Sequence, residues 1–387
     1  MDARAVSRAR LAITAVFFFN GVLFASMFAR LPAIQDRTGV SDGALGLALL
    51  CAMLGLIVSQ VAAGALVTRH GSRTIVIAGL CGWSLALLPV AFSESFAVLA
   101  AGLALIGFTN GFLDVAMNVH GLTVERQLTR PIFTGLHAGF SFGGLTGAGL
   151  AALAAAAGLE VTPQLVGAAI VTLVMAALVS RALLPAAVDA APEGPLLAVP
   201  TRGLLALGAL AFCTLLAEGA IQDWGAVYLA GGIGTSDAAA AAGLAAYSLT
   251  MGVGRLLGDG LAERIGPARL ARGGGIVSTL GVALALSTSS PAPTVLGYAI
   301  AGLGLATLFP LALKAAPAHG ESTGPSVAAV AGCGYLGLLT GPPLIGGSAE
   351  LAGLRGALVI VVVMCAASAL LAAGVREPVR SSDSRHG

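Results

Sequence analysis

Charge is scarce in this 387-residue chain: Asp, Glu, Lys and Arg together make up 10% of it, against roughly 25% in a soluble domain. So few charges cannot coat a water-facing surface, which excludes an ordinary soluble protein. Aromatic residues are also few, at 5%, and offer little stacking surface. The net charge is only +2 and the basic residues are scattered among connecting segments, which argues against a nucleic-acid binder. Cys51, Cys81, Cys213, Cys333 and Cys365 all lie inside apolar runs, with no CxxC pair and no histidine at metal-ligand spacing. They read as small packing residues, with no metal and no cofactor implied.

The chain also lacks a P-loop, an H-E-x-x-H pair and a phosphate-cradling glycine motif, which removes ATP as an energy source. Gly139-Phe-Ser141-Phe-Gly143 fits the spacing of a nucleophile elbow. That chemistry needs a sharp strand-to-helix turn, and the match falls inside a glycine-rich apolar stretch. The chain therefore does not read as an enzyme, and any solute movement would run on an ion gradient or by facilitated diffusion.

What the sequence does have is apolar length. Hydrophobic residues make up 57% of it and the mean hydropathy is +0.94. They fall into runs of about twenty, the length that crosses a bilayer at 1.5 Å per residue. The expected spans are Leu11 to Leu31, Ala44 to Leu66, Thr74 to Phe92, Phe96 to Val119, Phe133 to Leu153, Pro163 to Leu184, Leu204 to Tyr228, Ala238 to Leu257, Ile276 to Ser287, Thr294 to Leu313, Ser326 to Ile345 and Leu354 to Ala373. Met1 to Arg10 and the run after it resemble a signal peptide, but the run is long and lacks a cleavage site, so it reads as a retained first helix. Between the sixth and seventh spans, Pro185, Pro192, Pro195 and Pro200 mark a helix-breaking linker. The reading is an all-α membrane protein of twelve transmembrane helices in two pseudo-symmetric six-helix bundles. Residues 1–184 form the first bundle, 185–202 a linker, 203–375 the second bundle and 376–387 a tail.

Two patterns support this organisation. Of the twenty basic residues, sixteen fall in segments on one side of the expected membrane, Arg30, Arg37 and Arg355 fall on the other, and Arg255 lies inside a span. By the positive-inside rule the termini and the linker are cytoplasmic. Gly39-Val-Ser-Asp42 recurs as Gly234-Thr-Ser-Asp237, and Leu66-Val-Thr-Arg-His-Gly71 as Leu261-Ala-Glu-Arg-Ile-Gly266, both 195 residues on. Phe142-Gly-Gly-Leu-Thr-Gly147 answers Leu336-Gly-Leu-Leu-Thr-Gly341 at 194. Parallel repeats of this kind build two bundles around a site near the bilayer midplane.

Polar residues inside the spans mark candidate paths. Asn110, Asp114 and Asn118 recur every fourth residue and line one helix face, and Thr214, Glu218 and Gln222 repeat the device with Asp223 beside them. A charge at the bilayer centre costs roughly 2.5–3.5 kcal/mol on insertion scales, so such groups usually face an interior cavity. Helix-to-helix hydrogen bonding is the competing role for both stripes. Asn20 and His137 are further candidates to line the cavity. Arg255 and Asp259, four residues apart, suggest a local ion pair near the gate. Trp224 and Tyr228 suggest anchors at the outer interface.

Gly64-Ala-Leu-Val-Thr-Arg-His-Gly-Ser-Arg73 resembles the G-x-L-a-D-r-x-G-r-k signature of the major facilitator superfamily, with Thr68 in place of the Asp. The resemblance implies gate roles for Gly64, Arg69, Gly71 and Arg73. Glu263 and Arg264 keep the acid-base pair in the second copy, so they would carry the charged half of a latch. Gly111-Phe-Leu-Asp-Val-Ala-Met-Asn118, followed by Gly135-Leu-His-Ala-Gly-Phe-Ser-Phe-Gly143, is similar to segments of the fucose-permease-like branch, in which Phe28 stands where that group has an acid.

These features lead to the expectation of a secondary transporter that carries a small polar solute by alternating access. Asp114 would be the proton-coupling carboxylate and Glu218 its reserve. Asn20, Asn110, Asn118, His137, Gln222 and Asp223 would contact solute. The partners are the lipid bilayer, a small-molecule substrate and protons, and no oligomer is required. Export of a drug-like compound and a non-transporting sensor role remain open alternatives. The orientation is testable with single cysteines in a cysteine-free background: at Arg73 and Glu193 they should resist an impermeant thiol reagent in intact cells, and at Glu160 one should label. The reverse pattern would invert the topology.

Overall fold

The computed structural model describes residues 3–128, 132–185, 201–319 and 323–375, and they are almost entirely helical. Helices α1 (Ala3–Phe28), α2 (Leu31–Thr38), α3 (Asp42–His70), α4 (Ser72–Ala91), α5 (Phe96–Leu128), α6 (Phe133–Ala156) and α7 (Val161–Ser180) make the first half. The second half holds α8 (Leu205–Val227), α9 (Asp237–Ile265), α10 (Pro267–Ser287), α11 (Pro291–Leu305), α12 (Leu308–His319), α13 (Thr323–Ala357) and α14 (Val359–Leu371). Among the described residues, eleven helical stretches are long and apolar enough to cross a membrane, and a shorter apolar helix at Val359–Val375 follows. α11 and α12 together form one of the eleven. In hydrocarbon only a helix satisfies its own backbone, which is why so apolar a chain folds this way.

Several helices extend past their apolar runs. α5 reaches Leu128 and α3 reaches His70, carrying basic residues on turns beyond the hydrophobic stretch. α10 begins at Pro267, nine residues before the expected ninth span, because Arg269 and Arg272 occupy its first turns instead of a loop. α2, a short helix, was not expected. The expected linker falls mostly on residues 186–200, outside the described set, as does the tail at 376–387.

The repeat has a backbone counterpart. α3 and α9 are both 29 residues long and start 195 residues apart. Ser41 and Ser236 cap them, each accepting from a backbone N–H three residues on at 3.3 Å. The left-handed glycines pair at the same interval: Gly39 with Gly234, Gly71 with Gly266, and Gly158 with Gly353. Gly71 and Gly266, at φ 81° and 87° with ψ near 150°, each turn one helix into the next across a single residue. That region is essentially restricted to glycine, which explains why the repeated segment ends in one. At Gly353 the same conformation breaks α13, so the last crossing effectively begins at Leu354.

The loops at Gly39, Gly158, Gly234 and Gly353 share one face of the molecule, and those at Gly71 and Gly266 share the other with the two ends of the described chain. On the first face arginines close helix ends. Arg37 donates to the carbonyls of Val90 and Ala91 at 3.0 and 2.9 Å, and Arg355 donates from Nε to the carbonyl of Leu286 at 2.9 Å. Ala91 and Leu286 are repeat mates 195 residues apart, whereas Arg37 and Arg355 are not. Arg30 is buried there and donates to the Leu159 carbonyl at 2.9 Å. Burial lowers its guanidinium from the usual arginine range, and the charge of Asp237 opposes the shift.

Helices meet backbone to backbone at glycines. A Cβ on Gly107 of α5 would stand 1.8 Å from the Ala52 carbonyl oxygen of α3, and one on Gly143 of α6 would stand 1.9 Å from that of Phe18 on α1. Lipid supplies no hydrophobic drive between helices, so this close approach is what holds them. Gly107→Val should therefore lower the unfolding midpoint in mild detergent by several degrees, while Gly149→Val, with nothing within 4 Å of its site, should leave it within a degree or two. Equal shifts would refute the packing argument.

Candidate functional site

The two halves meet along α3 with α13 and along α6 with α9. At the face bearing Gly39, the Gly43 N–H donates to Glu350 Oε1 at 2.8 Å across the halves. One turn further in, a Cβ on Gly46 would approach the Pro342 carbonyl oxygen to 2.6 Å. At mid-height, Gly144 faces Ser248 and Gly252 faces Ser141. Beyond this level no ion pair crosses between the charged latch candidates of the two halves among the described residues. Arg69, Glu263 and Arg264 are exposed and Arg73 is half-buried, and no ion pair joins them. Gly71 is buried at its turn, and Gly64 is half-buried on α3.

Between the sealed face and these latch candidates lies a small, partly open cavity of about 30 Å³. Phe24 and Phe28 of α1 and Phe140 of α6 form its apolar wall, with Phe24 and Phe28 at 4.4 Å between ring centroids. Glu218 and Gln222 of α8, with Tyr247, Ser248 and Arg255 of α9, form the polar wall. Arg255 Nη2 contacts Glu218 Oε1 at 3.0 Å, and its Nη1 donates to Ser141 Oγ of the other half at 3.1 Å. Gln222 Nε2 donates to the same Glu218 oxygen at 3.2 Å. The Tyr247 hydroxyl is buried in this wall beside Gln222, with no hydrogen-bond partner of normal length among the described residues.

The sequence expectations for α9 therefore need correction. Arg255 does not pair with Asp259. It turns into the cavity, and Asp259 pairs with Lys314 of α12 on an exposed surface. Trp224 and Tyr228 are not interfacial anchors. Both are buried at 0–1% exposure, with Trp224 packed against Gly346 of α13. Ser141 sits in the middle of α6 with no elbow around it.

The first polar stripe is split. Asn118 Nδ2 donates to the Asp114 carboxylate at 3.2 Å, and the other donor to that carboxylate is Gln60 Nε2 of α3, also at 3.2 Å. Asn110 Oδ1 is buried with no hydrogen-bond partner among the described residues. Asp114 does not line the cavity. Asn20 is buried, accepting from Trp83 Nε1 at 2.9 Å, and acts as packing between helices. His137 stacks edge-on against Phe17 at 5.2 Å. Asp223 is 7% exposed and has no hydrogen-bond partner among the described residues. Of the expected solute contacts, only Gln222 lines the cavity, together with Glu218.

Four contributors, Tyr247, Met251, Gln60 and Ser141, were absent from the site expected from the sequence. Tyr247, Met251 and Arg255 recur every fourth residue on α9, a stripe that periodicity could have shown. Gln60 is the repeat mate of Arg255 at 195 residues, a match visible only once the register is extended beyond the repeated loops. Ser141 gave no signal beyond the elbow spacing already set aside.

Two bundles around a polar cavity at mid-height define the architecture of a multi-pass solute transporter, and comparison with known proteins gives the family. The family model for the Major Facilitator Superfamily matches residues 11–222 and 207–386, and the chain belongs to that superfamily, whose members are transporters and not enzymes. An uncharacterised MFS-type transporter of Yersinia pestis is 30% identical, over 91% of this chain and 93% of its own. The membrane protein MosC of Rhizobium meliloti is 30% identical, over 92% and 88%. In fold the chain is similar to a bacterial homologue of the human lysosomal transporter Spinster in an inward-facing, unoccupied conformation, with a TM-score of 0.77, 15% identity and coverage of 97% and 98%. It is also similar to the nucleoside transporter NupG, with a TM-score of 0.68, 14% identity and coverage of 95% and 98%.

Removing one partner of the cavity ion pair strands the other. Arg255→Ala should lower the unfolding midpoint by the equivalent of about 1–3 kcal/mol, and adding Glu218→Gln should recover most of that loss. Additive losses in the double variant would mean that the two groups act separately.

Proposed function

We propose that this protein is a secondary transporter in the cytoplasmic membrane that carries a small polar, sugar-like solute by alternating access, with protons as the coupling ion. The cavity carries the reading: one wall offers an acid, a base, an amide and hydroxyls, and the other offers phenylalanine faces. A sugar presents the same pair of surfaces, hydroxyl edges and a C–H face. The similarity of the Gly111 to Asn118 segment to fucose-permease-like transporters supports the same class of cargo. The domains are the two bundles at 1–184 and 203–375, joined by the 185–202 linker, and a single chain suffices.

With the termini in the cytoplasm, the sealed face is external, and the unformed latch at Arg69, Arg73, Glu263 and Arg264 corresponds to an inward-open state. Closing that latch while the Gly43–Glu350 seal parts exposes the cavity to the other side. Asp114 is the proposed proton carrier. Its carboxylate is held by two amides, Gln60 and Asn118. A side-chain amide has both donors and an acceptor, so reorientation can serve the protonated acid as well. In a buried apolar setting desolvation favours the neutral acid, and wetting favours the carboxylate.

The test uses liposomes containing the purified protein and a pH-sensitive dye in the lumen, with a panel of sugars and cyclitols added outside. At least one should acidify the lumen. For that compound, Asp114→Asn should abolish accumulation against a gradient while leaving counterflow exchange measurable. Accumulation with an unchanged pH dependence in Asp114→Asn would reduce Asp114 to a structural residue.

A further inference from the structure

Arg255 lies inside a membrane span, bridges Glu218 to Ser141, and lines the cavity itself rather than a loop. A guanidinium at this depth is costly, and helix packing alone does not require it. The two members of the pair can respond to an incoming charged solute in different ways. Arginine does not give up its proton in proteins, whereas glutamate readily takes one when desolvated or deprived of its cation. A cationic solute that took Glu218 would leave Arg255 charged and unpaired, with no proton transfer able to relieve it. An anionic solute that took Arg255 would displace Glu218, and a single proton on Glu218 would relieve the displaced carboxylate.

Resting on the polar-solute reading above, we propose that the solute carries a carboxylate, as a sugar acid does, and that it binds Arg255 together with a proton on Glu218. The planar guanidinium matches a carboxylate bidentately, which fits a site already engaged on two of its nitrogens. The Tyr247 hydroxyl and Gln222, on the same wall, supply hydrogen bonds for the rest of the solute. The charge balance is closed. Empty, the pair sums to zero, and with solute and proton bound, neutral Glu218, cationic Arg255 and the anion again sum to zero. Solute without the proton sets two carboxylates competing for one guanidinium, and the proton without solute leaves Arg255 unpaired. The two are therefore taken up together at this pair, independently of the proton assigned to Asp114.

Other titratable groups surround the pair. Tyr247 on α9 feels both charges, His137 on α6 feels Arg255, and Cys365 on α14 lies near Tyr247. His137 is the one whose ordinary range lies between the two pH values used below, so the test includes it.

Purified protein is heated with D-glucuronate, D-gluconate, D-glucose or D-glucosamine at about pH 5.5 and about pH 7.5. At least one of the two acids should raise the unfolding midpoint by several degrees at the lower pH and by less than half as much at the higher one. Glucose and glucosamine should do markedly less. In Glu218→Gln the stabilisation by that acid should become equal at the two pH values, and in His137→Gln the pH dependence should persist. A larger shift with glucose or glucosamine would overturn the anion inference and leave the sugar-like reading standing. Stabilisation by an acid that is independent of pH in the unmodified protein would overturn the proton on Glu218. No shift with any of the four would remove both readings.

Discussion

Lipid offers a helix neither a hydrogen-bond partner nor a hydrophobic reason to associate, so the contacts available are those that let backbones touch. Gly107 against Ala52 and Gly143 against Phe18 bring helices within a half to that distance, and Gly46 against Pro342 does the same between halves. The rest of the architecture follows from where such contacts stop. α1 makes little contact with α8 and α9, and the space between them, walled by Phe24, Phe28, Phe140 and Tyr247, is the cavity. The distribution of glycine thus shapes the binding site as much as the polar residues that line it.

The two halves share a backbone plan and differ in chemistry. Residue 60 of α3 and residue 255 of α9 occupy equivalent places, and each reaches a carboxylate. In the first half a glutamine meets Asp114, and in the second an arginine meets Glu218. The neutral amide leaves its acid with donors but no counter-charge, and the guanidinium gives its acid a full one. One repeat position thereby gives the two carboxylates different electrostatic settings.

Much of the fold could be read in the sequence because its cause is local. Apolar length sets the spans, and the glycine closing each Leu66- and Leu261-type segment marks a turn that few other residues can make. Helix ends were less legible. α3, α5 and α10 keep their basic end turns helical, and hydropathy cannot distinguish an amphipathic helix end from a loop. The site was less legible still. Sequence spacing shows which residues share a face of one helix, as with Arg255 and Asp259. It does not show which neighbouring helix competes for them. Arg255 found Glu218 and Ser141, and Asp259 found Lys314, because α8, α6 and α12 presented partners that spacing along α9 could not reveal. Trp224 and Tyr228 followed the same logic: an aromatic near a helix end looks interfacial until another helix, here α13 for Trp224, covers it.

The arginines at the sealed face bear on how charge asymmetry is counted. Arg30, Arg37 and Arg355 are the basic residues that dilute an otherwise one-sided distribution, and each is tied to backbone carbonyls at a helix end or turn. Helix C-termini attract cations through their unpaired carbonyls and the helix dipole. The carbonyls of Ala91 and Leu286 are served by arginines from unrelated positions, so what the two halves hold in common is the acceptor and its need, with the donor free to migrate along the chain. An inventory that weighs guanidinium groups by their freedom in solution, instead of by number, would find that face nearly bare of mobile positive charge.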